Sequence, residues 1–187
     1  MAPIIGIIAS SLSGFLNNNS YESIATVTLG SNQSSISFSS IASTWTHLQL
    51  RCFVRMNRAD NADNMAIQLN SDTAANYSFH DLRGDGTSAG AEYGSSISYM
   101  YIPDLVANNP TSSIFSAAII DILDYKDVNK YKTIRTLSGN DRNGGGAVAL
   151  SSGNWRSTSA VTSITVTGRY GSGFISGSTI ALYGIKS

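Results

Sequence analysis

Residues 45–58 read WTHLQLRCFVRMNR, and their alternation decides the fold class. Leu48, Leu50, Cys52, Val54 and Met56 fall on one side of an extended chain. His47, Gln49, Arg51, Arg55 and Asn57 fall on the other. Successive side chains of a strand point to opposite faces, so the stretch is a strand with one dry and one wet face. Strands of that kind belong to antiparallel sheets that pack one face on a core.

The pattern repeats in both directions. Ala25, Val27 and Leu29 alternate with threonines and stop at Gly30, and Ile36 and Phe38 alternate with serines. After the polar turn RADNADN the chain resumes as Met65, Ile67 and Leu69. Tyr77 and Phe79 mark a short strand that ends in the glycines of LRGDGTSAGAEYG, and Ile97, Tyr99 and Tyr101 mark another before Pro103. The run 114–123, IFSAAIIDIL, is apolar on both faces and predicts an interior strand; its isoleucines and lack of caps argue against a helix. Residues 131–137, then Val148 with Leu150, Ile164 with Val166, and 180–185 complete the series, with SGNDRNGGG as a loop. Roughly ten short strands and no helix predict an all-β, single-domain antiparallel β-sandwich, jelly-roll-like, over 21–187. Residues 1–20 form an N-terminal arm or a first strand.

Composition limits the function. The chain has 187 residues, enough for one domain with a hydrophobic core. Charged residues are only 13%, and Lys+Arg 12 balances Asp+Glu 12, so Ser, Thr, Asn and Gly supply most of the polarity. Such a surface has a weak long-range field, which argues against nucleic-acid binding and favours short-range contact with protein or glycan. The single cysteine, Cys52, lies on the apolar face and reads as a small buried hydrophobe. The run Ile4–Ala9 is too short to span a bilayer, and no basic residue precedes it as in a secretory signal. The expectation is a protein made in the cytoplasm, with no membrane partner.

Chemical equipment is sparse. His47 sits on the wet face with no nucleophile assigned to it, and the second histidine is His80. Asp121 and Asp124 are the nearest approach to a glycosidase pair, and Asp121 reads as a strand-end or turn residue. Two scattered histidines and one buried thiol do not assemble a zinc site. Asp60, Asp63 and Asn64, or Asp81 and Asp85, are oxygen ligands in turns but lack EF-hand spacing, and read as turn-forming residues. Gly144–Gly146 lacks the Lys-Ser/Thr pair of a phosphate loop. The expectation is a non-enzyme with no catalytic residue, no metal and no cofactor. Trp155 and the tyrosines are candidates for stacking on sugar, with core packing as the stronger reading.

Four segments carry a resemblance: SYESIATVTLGSNQSSISFSSIASTWTHLQLR at 20–51, NSDTAANYSFHDLRGDG at 70–86, DYKDVNKYKTIR at 124–135, and GSTIALYGIK at 177–186. They resemble a family of virion structural proteins of tailed bacteriophages. This chain has Ala42 and Trp45 where the family usually has Pro and Tyr. The resemblance implies a β-sandwich on the virion surface, built as head decoration (cement) or as a tail-fibre or tail-tip module. It implies virion proteins as partners, the major capsid protein or tail proteins, and a homo-oligomer, with a trimer favoured. Ile4, Ile5, Ile7 and Ile8 are candidate contacts to a neighbouring subunit or shell, since an apolar arm readily adds to an exposed sheet edge.

Overall fold

In the computed structural model, residues 20–186 are described; Ile4, Ile5, Ile7 and Ile8, and with them the arm, lie outside these residues. The strands are β1 Tyr21–Thr28, β2 Ser35–Phe38, β3 His47–Val54, β4 Ala62–Leu69, β5 Tyr77–Gly84 and β6 Ala89–Ile97. They continue as β7 Met100–Val106, β8 Ser116–Leu123, β9 Lys132–Asp141, β10 Gly146–Trp155, β11 Ile164–Gly168 and β12 Thr179–Ile185. All pairings are antiparallel. The sandwich has an eight-stranded sheet, β1-β12-β3-β8-β9-β10-β5-β6, and a four-stranded sheet, β2-β11-β4-β7.

The alternation within β3 is as expected: Leu48, Leu50, Cys52 and Val54 are buried between the sheets. Burial pushes the Cys52 thiol up to about 12, so it is an inert hydrophobe. Past Val54 the strand ends and the alternation ends with it. Arg55, expected on the wet face, is buried, and its guanidinium donates to the carbonyls of Asn108, Pro110, Thr111 and Ile114 at 2.5–3.0 Å.

Three expectations need correction. The expected strand at 97–101 is a turn joining two strands. β7 runs through Pro103 because it is the edge strand of its sheet and Pro103-Asp104 bulges opposite Asn64, with Asp104 at φ 59°. The segments LRGDGTSAGAEYG and SGNDRNGGG hold hairpins rather than long loops, because alanine, serine and glycine extend the ladders of β5–β6 and β9–β10. The run 114–123 is not buried on both faces: β8 buries Ala118, Ile120 and Ile122 but leaves Ile119 41% exposed.

Three of the segments carrying the resemblance interlock. The amide of Trp45 donates to the Tyr125 hydroxyl, which donates to the carbonyl of Ala42. The Trp45 indole lies against Gly184 of β12, and Thr46 donates to the carbonyl of Ile185. Lys132, fully buried, donates to the carbonyls of Asp127, Lys130 and Thr158 at 2.5–3.2 Å. Asp72 accepts the Trp155 indole N–H at 2.7 Å and the amide of Ala74, which closes the turn before β5. These residues hold turns and close the core.

Candidate functional site: the outer face of the larger sheet

The polar residues weighed as chemical groups are engaged in structure. His47 Nδ1 accepts the backbone N–H of Asp124 at 2.9 Å, and Asp124 pairs with Lys130 at 3.0 Å. Asp121 is a mid-strand residue of β8, not a strand end; it accepts from Gln49 at 2.8 Å and pairs with Arg135 at 3.3 Å. Asp63 is buried within β4, where it accepts from Ser172 and from the amide of Asn64. Asp85 accepts the amides of Thr87 and Ser88 at the β5–β6 turn, and these bonds hold its carboxyl down at about 2. Asp81 lies in β5 rather than in a turn and points inward, where burial raises its pKa. Among the described residues no three His, Cys, Asp or Glu side chains converge as metal ligands. A cleft of about 240 Å³ beside the bulge holds Arg83, Asp104 and Arg142; Arg83 lies 3.9 Å from Asp104, and Arg142 donates to Asn140.

Trp155 is buried and stacks on Tyr77, so it is unavailable to a sugar ring. Aromatic rings do reach solvent elsewhere. Tyr93 is 71% exposed and stacks on His80 at 5.7 Å.

What sequence reasoning missed is the outward face of the eight-stranded sheet. Strand register lines its side chains up in rows across the strands from β3 to β6. The central row is Arg51, Ile119, Leu137, Leu150, Leu82 and Ala91. Four consecutive strands thus present a large aliphatic side chain to water, with Leu82 at 64% and Leu137 at 50% exposure. On one side runs a polar row of Gln49, Asp121, Arg135, Ser152, His80 and Tyr93. On the other run Phe53, Ala117, Gly139, Val148, Gly84 and Ala89, with Phe53 and Val148 the exposed apolar members. A shallow groove of about 410 Å³ opens between Leu82, Leu150, His80, Tyr93, Arg135 and Ser152.

Single exposed leucines are ordinary, but a contiguous band is not, and such bands mark contact with another apolar surface. The signal was present in the sequence as Leu137 and Leu82, each on the side of its strand opposite the core set; in β10 the apolar pair Val148 and Leu150, read as marking the strand, faces out, while Ala149, Ser151 and Trp155 face the core. No helix among the described residues is long and apolar enough to cross a membrane. No family model, curated protein or solved structure matches this chain.

Proposed function

We propose that this chain is a non-enzymatic structural protein of a tailed-bacteriophage virion, and that it decorates the head as a cement protein. The observation that supports this reading best is the exposed aliphatic band on the outer face of the larger sheet, from Ile119 to Leu82. It is a binding surface for protein, and it carries few charges. The segments that resemble virion proteins, three of them interlocked, fit a rigid module. Modest affinity at each contact, multiplied over many copies on a shell, gives firm attachment.

A second reading, a tail-fibre or tail-tip module that contacts host glycan, is favoured by one feature. Tyr93 projects beside the groove with Arg135 and Ser152, an aromatic platform next to hydrogen-bonding groups.

Copy number and salt test the decoration reading together. Quantitative mass spectrometry of purified virions should find hundreds of copies per particle. Washing from low to moderate salt should release little of the protein, because contacts made by a surface with 13% charged residues are not screened as exposed ion pairs are. A handful of copies per particle would favour the tail reading, and steep loss with salt would contradict attachment by short-range contact.

A further inference from the structure

We infer that the partner on the outer face is a second copy of this chain, packed face to face about a two-fold axis that runs along the strands between β9 and β10. The inference rests on the reading of that face as a protein-binding surface and adds the identity and register of what binds there.

The rows carry the argument. An axis in this position lays each row of one copy on the same row of the other, in reverse strand order. In the central row Leu137 meets the other copy's Leu150, and Ile119 meets its Leu82. In the row beyond, each large side chain meets a small one: Phe53 lies over Ala89, and Val148 over Gly139. In the polar row Asp121 comes opposite His80, whose ring N–H it can accept, and Arg135 comes opposite the hydroxyl of Ser152. Like charges never face each other. An axis running across the strands instead would put the polar row on the row of Phe53 and Val148. Isologous interfaces need this kind of self-complementarity, because the same patch must fit itself.

The size of the face agrees. Six strands about 4.8 Å apart and three rows about 6.8 Å apart, with side-chain radii added, cover roughly 600 Å² per copy. Two such faces bury roughly 1,200 Å², at the lower end of specific interfaces. The axis between β9 and β10 places Leu137 and Leu150 at the heart of the contact. The result is a reversible dimer with a dissociation constant on the order of micromolar. This association differs from the trimer that the family resemblance implies.

Analytical ultracentrifugation of the full chain at about 1–100 µM should show a species of twice the 19.8 kDa chain mass that grows with concentration. Leu137→Arg places like charges near the axis and should weaken pairing at least tenfold, with an unchanged circular dichroism spectrum. Register is tested by Ile119→Cys with Leu82→Cys. These two positions are three strands apart within one chain, roughly 14 Å, so they cross-link only between copies. Mild oxidation should give a covalent dimer from the double variant and none from Ile119→Cys alone; the buried Cys52 takes no part.

A chain that stays monomeric throughout, or a trimer, overturns the inference, as does a dimer that the double variant fails to cross-link. If the chain is monomeric yet Leu137→Arg virions retain less of it, the face still binds protein and only the second copy is wrong. If retention is unchanged as well, the reading of the face fails with it.

Discussion

Replacing Arg55 with alanine should lower the stability of the fold by about 3–5 kcal/mol, the cost of removing one side of a buried charged network. The guanidinium bonds four carbonyls spread over Asn108 to Ile114, a stretch outside the strands, while its own amide donates to Ser178 at 3.1 Å. Without it those part-buried carbonyls lose their donors and the loop between β7 and β8 loses its anchor. A fixed planar fork with five donors suits this arrangement. Lysine, with a single ammonium, should therefore recover only part of the loss. In urea, with a slope of about 2 kcal/mol/M, the midpoint of Arg55→Ala should fall by roughly 2 M. A shift below about 0.5 M would mean that the carbonyls are solvated and that Arg55 does not organise the loop.

A second large effect is expected at Gly184. A methyl group there would fall inside the indole of Trp45, which is buried and donates from Nε1 to Glu22 at 3.0 Å. Gly184→Ala should therefore destabilise by about 2–4 kcal/mol, at or above the usual range for forcing extra atoms into a packed core. The cause is tested by a double-mutant cycle with Trp45→Ala. In that background the cost of Gly184→Ala should nearly vanish, giving a coupling of at least about 2 kcal/mol. Independent, additive effects would show that Gly184 is required for some other reason.

Both residues illustrate what the sequence could and could not reveal. Period-two alternation is a local signal, so it identified β3, β4 and β11 with their buried faces, and placed β12 at 180–185. It failed at Arg55, where the strand stops and the next residues bury side chains irrespective of parity. It failed over 89–97, where Ala, Gly, Ser and Tyr carry little hydropathy contrast although the backbone pairs fully with β5. The apolar run at 114–123 suggested burial on both faces because hydropathy says that a residue is apolar, not that another layer exists to cover it. Register supplies that information, and register is set by pairing between distant strands. Leu82, Leu137, Leu150 and Ile119 lie in four separate segments, and only the ladder joins them into one row. For the same reason the candidate acids and histidines read from the sequence proved to be scattered among turns, ladders and the core.

The central claim, a virion structural protein on the head, is tested most directly by gold-labelled antibody against this chain on intact virions, viewed by electron microscopy. Dense label over the head is the result the account predicts. Label confined to the tail end would contradict it and move the search for contacts to Tyr93 and the groove beside it, and particles without label would contradict a virion role altogether.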